Sequence, residues 1–264
     1  MARHSKWANI KRQKERVDAR KGKTFTKISR EIIVAARSGI PDPAGNFQLR
    51  TAIEKAKAAG IPNENIERAI AKGAGTWGTE GESYALRARC AIEAIRYEGY
   101  GPGGVAIMIE ALTDNRNRSA ADLRAAFTKN GGNLGETGCV SWMFAPTGVV
   151  IITDAKEEEK LLEASLEGGA QTYELNQAED DTLTAEVFTE VENLQTLSLK
   201  LQDYGFTVSE VELRWIPSNT VEVSDPLQAR SLLKLIDALE DLDDVQNVTS
   251  NFDMTDELMS GSLA

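Results

Sequence analysis

A chain of 264 residues can bury a sizeable core, and its length points to two domains or three small ones. Its hydrophobic fraction of 41% is ordinary for a globular protein, and no run of about 18 apolar residues is available to cross a membrane. The net charge of −11 hides a division: residues 1–72 hold 17 Lys/Arg against 7 Asp/Glu, and residues 73–264 hold 13 against 34. A basic end on an acidic body reads either as a head that meets a polyanion or as a solvated tail folding back on the body.

The N-terminus lacks the apolar core of a signal peptide, and its acids and scarcity of Ser do not fit a transit peptide. Cys90 and Cys139, the two thiols, have no metal-type spacing, so neither a disulfide scaffold nor a zinc site is expected. The cytoplasm is the expected location.

Residues 1–23 carry few apolar side chains and end in "ARKGK", as expected of a mobile or marginally helical arm. Next, "TFTKISREIIVAARSG" spaces Phe25, Ile28, Ile32 and Ala36 as on one helix face, with Gly39 as a stop. "FQLRTAIEKAKAAG" puts Leu49, Ala52, Ile53 and Ala56 on a second stripe, and "IPNENIERAIAKGAG" puts Ile66, Ala69 and Ile70 on a third, with Gly73 as C-cap. The expectation is a three-helix bundle over 24–77.

From there strands and helices mix. "CAIEAIRYEG" and "GGVAIMIEALT" are strand-like runs joined by "GYGPGG", "RNRSAADLRAAFTKNGG" is a helix, and "CVSWMF" reads as a strand. From Gly148 to Pro217 the order is strand, helix, strand, strand, helix, strand, the ferredoxin-like sequence of elements. A last strand, helix and strand follow. The predicted fold is therefore α+β and multidomain: an α+β domain from 78–146 and 217–251, a ferredoxin-like domain inserted over 147–216, and a C-terminal tail over 252–264.

Gly99, Gly101 and Gly104 satisfy the dinucleotide spacing G-x-G-x-x-G, but that fingerprint works only where the loop opens a helix. Here it opens onto alternating Val105, Ile107 and Ile109, so a hairpin turn is expected, with Tyr100 and Pro102 free to touch a partner. "TDNRNR" sets Asn115, Arg116 and Arg118 at a helix start, either as a second anion contact or as capping plus an internal salt bridge. The acidic clusters, Asp241, Asp243 and Asp244 among them, lack metal-loop spacing and read as solvated surface.

His4 has no second histidine and no orienting neighbour, which argues against an enzyme. Trp7 among Lys6, Lys11, Arg12 and Lys14 suits base stacking with phosphate neutralisation, or packing of Trp7 on the bundle, or both. The nucleic-acid contact is expected to extend through Lys21, Lys23, Lys27, Arg30 and Arg50. No helix offers a recognisable base-reading face.

"HSKWANIKRQK", "KGKTFTKISREI", "AIEKAKAAGIPNENIERAIAKG" and "YEGYGPGGVAIMIEALTDNRNRS", in this order, resemble the YebC/PmpR family from residue 3 to about 250. The resemblance implies a helical bundle with two α+β domains, one inserted in the other. It also implies a cytoplasmic, non-enzymatic regulator: bacterial members are commonly described as transcriptional regulators that bind DNA, and some as ribosome-associated factors that help translation of difficult sequences such as proline runs. The expected partner is DNA or ribosomal RNA, with the ribosome itself as an alternative, and no cofactor, metal or small-molecule substrate is expected. The family motif maps onto His4, Ser5, Lys6, Trp7, Asn9, Ile10 and Lys11. Arg3 stands where glycine is common and Arg12 where histidine is common.

Overall fold

In the computed structural model the described residues are 21–76, 92–177, 183–255 and 258–259. In chain order they form α1 (Lys21–Ser38), α2 (Phe47–Ala58), α3 (Asn63–Gly73), β1 (Glu93–Tyr100), β2 (Ala106–Thr113), α4 (Arg116–Lys129), β3 (Asn133–Leu134) and β4 (Phe144–Thr153). There follow α5 (Glu158–Glu167), β5 (Ala170–Gln177), β6 (Leu183–Thr189), α6 (Leu194–Asp203), β7 (Thr207–Pro217), β8 (Val221–Glu222), α7 (Pro226–Glu240), β9 (Val245–Ser250) and β10 (Phe252–Asp253). The fold is α+β, as expected, and divides into two compact units: Phe144–Ile216, and the remainder on either side of it.

The three-helix bundle closes around Ile28, Ile32, Ile33 and Ala36 of α1, Leu49, Ala52, Ile53 and Ala56 of α2, and Ile66 and Ala69 of α3. Helix α1 starts at Lys21, inside the stretch expected to be arm. Gly73 is not the C-cap of α3. It is the buried last helical residue, where an added Cβ would lie 2.5 Å from the Ile33 carbonyl oxygen, so its bareness lets α3 approach α1. The cap is Ala74, and Gly75 takes the positive φ of 73° beyond it.

The same unit holds a sheet ordered β3-β1-β2-β9. Strands β1 and β2 form an antiparallel hairpin in which Tyr100 pairs with Ala106. One face packs on α4 and α7 through Ile107, Ile109, Leu123, Phe127, Leu232, Leu235 and Ile236. Strand β10 pairs in parallel with β8, and Phe252, Met254 and Met259 are buried in this core.

"CVSWMF" is not one strand. Ser141–Met143 is a single 3-10 turn and the strand begins at Phe144. The amides of Gly138, Val140 and Ser141 are drawn out of any ladder by the carboxylate of Glu98, which they reach at 2.8, 2.7 and 2.8 Å.

The second unit has sheet order β5-β6-β4-β7, with α5 and α6 as its helices. Within this order the first strand of the unit lies between the third and the last, which is the ferredoxin-like arrangement. Val150, Ile152, Ala185 and Val187 are fully buried, as are Leu161 of α5 and Leu197 and Leu201 of α6.

Candidate nucleic-acid interface

His4, Ser5, Lys6, Trp7, Asn9, Lys11, Arg12 and Lys14 lie outside the described residues, as does the side chain of Lys21. The remaining basic residues of α1 are placed, and they turn toward the protein's own backbone. Lys23 Nζ donates to the Asp241 carbonyl at 2.9 Å and Lys27 Nζ to the Glu240 carbonyl at 2.8 Å. Arg30 Nη1 donates to the Asp243 carbonyl and pairs with Asp244 Oδ1 at 2.9 Å. These acceptors are the last residues of α7 and the turn after it. A helix leaves its final carbonyls without intrahelical donors and its C-terminal end partially negative, so ammonium and guanidinium groups bind there.

Asp244 is the centre of this contact. It is 6% exposed, and its carboxylate accepts from Ser119 Oγ at 2.7 Å, Thr113 Oγ1 at 3.0 Å and Arg118 Nη2 at 2.9 Å. Burial alone would push its pKa up. The bonds from Ser119, Arg118 and Thr113 and the charge of Arg30 outweigh that, so the carboxyl is held below its usual range. Asp244 is thus not solvated surface: the acidic run around it hides one residue that turns inward.

The residues expected as a second anion contact are also engaged. Asn115 caps α4 by accepting from the Arg118 amide at 3.1 Å. Arg116 pairs with Glu93 at 2.7 Å, and Arg118 bridges Asp114 at 2.7 Å to Asp244. Tyr100 donates its hydroxyl to the Cys139 carbonyl at 3.0 Å, and Pro102 begins the turn of the β1–β2 hairpin.

Arg50, half-buried on α2, places its guanidinium 5.6 Å from the centre of the Phe47 ring. The exposed side of α3 carries Glu64, Glu67 and Arg68, with Arg68 bound to Glu64 at 2.8 Å.

Glu98 was not foreseen as an organising residue. It is 3% exposed on β1, and burial, which would raise its pKa, is outweighed by the three amides of the 138–141 loop and by Arg96, so the carboxyl sits low. The available signal was a carboxylate between Tyr97 and Gly99, but Glu93 and Arg96 on the same strand made it look like one more surface charge. Among the described residues no helix is long and apolar enough to cross a membrane.

Comparison with known proteins extends over nearly the whole chain. Residues 5–76 match the model for the TACO1/YebC protein N-terminal domain, and residues 92–252 match that for the TACO1/YebC second and third domain. A probable transcriptional regulatory protein of Gloeothece citriformis is 71% identical over the full length of both chains, and one of Nostoc sp. is 70% identical over the same span. The crystal structure of a conserved hypothetical protein from Aquifex aeolicus is 46% identical, with a TM-score of 0.77 over 91% of this chain and 93% of that one. Two consecutive domain models and full-length relatives in the same arrangement establish that the chain belongs to the TACO1/YebC family.

Proposed function

We propose that this protein is a non-enzymatic regulator of gene expression that works in the cytoplasm by gripping the phosphate backbone of a nucleic acid. The carrying observation is the charge division, a +10 excess over residues 1–72 on a chain of net charge −11. Relatives named probable transcriptional regulatory proteins support the regulatory role. The arm supplies cations, with Trp7 and His4 stacking on bases, and Arg50 adds a cation on the bundle. The acidic body keeps polyanions from binding elsewhere.

Phosphate contact rather than base reading is the mode that fits. Helix α3 carries a balanced exposed face of Glu64, Glu67, Arg68 and Lys72, and the α1 cations Lys23, Lys27 and Arg30 are directed at α7 and the turn after it, so among the described residues no helix displays a row of donors for a major groove.

Two measurements test this. Crosslinking in cells followed by sequencing should recover bound nucleic acid, with discrete promoter fragments placing the regulation in transcription and ribosomal RNA placing it in translation; recovery of neither would overturn the reading. In vitro, binding should weaken steeply with salt, and replacing Lys6, Lys11 and Arg12 together by Ala should flatten the slope by about two to three units. An unchanged slope would overturn the role of the arm.

A further inference from the structure

Beside α1 runs a groove of about 440 Å³, within the roughly 300–1,000 Å³ of small-ligand sites. Its apolar lining is Phe25 and Ile33 of α1 and Ile92, just before β1; its polar lining includes Ser29, Arg30 and Lys72 of α3. Three features give it a chemistry. Among the described residues neither the exposed Lys72 ammonium nor the Ser29 hydroxyl has a partner. The Arg30 guanidinium is fixed, since its bonds to Asp243 and Asp244 both run through Nη1, and Nε and Nη2 keep donors for a ligand. Asp114, the acid in the lining, pairs with Arg118 at 2.7 Å, and Arg118 and Arg30 share Asp244, so this network of two arginines and two aspartates is balanced and Lys72 supplies the groove's unspent positive charge. A cationic and hydroxylic wall above an apolar floor is what a phosphate joined to a flat, weakly polar ring requires.

The groove is also next to the arm in the chain. Helix α1 begins at Lys21, and Phe25 stands about 6 Å further along it at 1.5 Å per residue.

We propose that this groove seats one nucleotide of the bound strand, its phosphate on Lys72, Ser29 and Arg30 and its base against Phe25, Ile33 and Ile92. This rests on the reading of the protein as a phosphate-gripping nucleic-acid binder and names the subsite within it.

The test uses the full chain and fluorescein-labelled single strands of about 20 nucleotides, RNA and DNA, titrated between about 50 and 200 mM salt. The double variant Ser29→Ala, Lys72→Gln should bind about tenfold more weakly and lose about 0.7 unit of salt slope, one single-strand phosphate contact. Phe25→Leu should weaken binding while leaving the slope intact, because it removes a ring and no charge. Lys234→Gln, which removes one charge from α7, serves as the control and should leave slope and affinity unchanged. If the double variant behaves like Lys234→Gln while the arm triple variant still flattens the slope, the groove is not the subsite and the general function stands. If the unaltered chain binds neither strand nor the corresponding DNA duplex, the function itself falls. Displacement of the strand by adenosine monophosphate at equal concentration would also overturn the proposal, since it would make the groove a site for free nucleotides.

Discussion

Two buried carboxylates, Asp244 and Glu98, hold more of this structure than their surroundings in the sequence suggest. Each is held below the usual carboxylate range, so each contributes stability above the unfolded pKa of about 4 and loses it as pH falls through the lower folded value. Thermal melts followed by circular dichroism should therefore show the transition temperature dropping below about pH 4.5, and a Glu98→Gln, Asp244→Asn double variant should show a shallower drop. At neutral pH, Asp244→Asn should cost about 3 kcal/mol, because it leaves Arg118 and Arg30 facing an amide in place of a charge. Glu98→Ala should cost about 2–4 kcal/mol by orphaning the three loop amides, measurable by urea denaturation. Neither role was legible beforehand. Asp244 sits in a run of acids that reads as surface, and only the fold brings Thr113, Ser119 and Arg30 to it from distant segments.

At the scale of elements, the helices of the bundle were readable because each has one wall to bury. Ile28, Ile32 and Ala36, then Leu49, Ala52, Ile53 and Ala56, repeat at helical spacing and are buried where that spacing puts them. The ends were harder, since Gly73 is bare for packing and not for its backbone. The "GYGPGG" turn shows the same ambiguity. An added Cβ at Gly99 would lie 2.6 Å from the Asn133 carbonyl and 2.8 Å from the Phe127 ring, whereas at Gly104 it would meet nothing within 4 Å. Gly104 is needed instead for its φ of 76°. Gly99→Ala should thus cost about 3 kcal/mol through overpacking against backbone, and Gly104→Ala only about 1 kcal/mol of left-handed strain, compared by denaturant midpoint. The spacing of a nucleotide fingerprint arises here from packing and turn geometry. The "CVSWMF" segment misled for a related reason: its amides are claimed by Glu98, a partner no local pattern reveals.

Across the whole molecule, the ferredoxin-like unit enters by β4 and leaves by β7, which are neighbours in its sheet. The Ser218 amide donates to the Met143 carbonyl at 2.8 Å just outside them, so the two chain crossings lie side by side. A fragment spanning 144–217 should accordingly fold alone, giving a cooperative thermal transition by circular dichroism; a non-cooperative melt would count against its independence. The order of elements made this insertion legible, because six of them in ferredoxin-like order need no outside strand. The charge division was legible too, but not its use, since part of the basic end serves the protein itself.

The seam between α1 and α7 carries one more consequence. Lys23, Lys27 and Arg30 each donate to a backbone carbonyl, and Lys23 lies in addition 3.9 Å from the Asp241 carboxylate. A carbonyl is present whatever side chain stands at Glu240, Asp241 or Asp243, so substitutions there leave those acceptors in place, while a single loss on α1 removes a donor outright. The contact is therefore tolerant to sequence change on one side and sensitive on the other, and mutational scanning of this seam should be lopsided, with the costly positions falling on α1 and on Asp244.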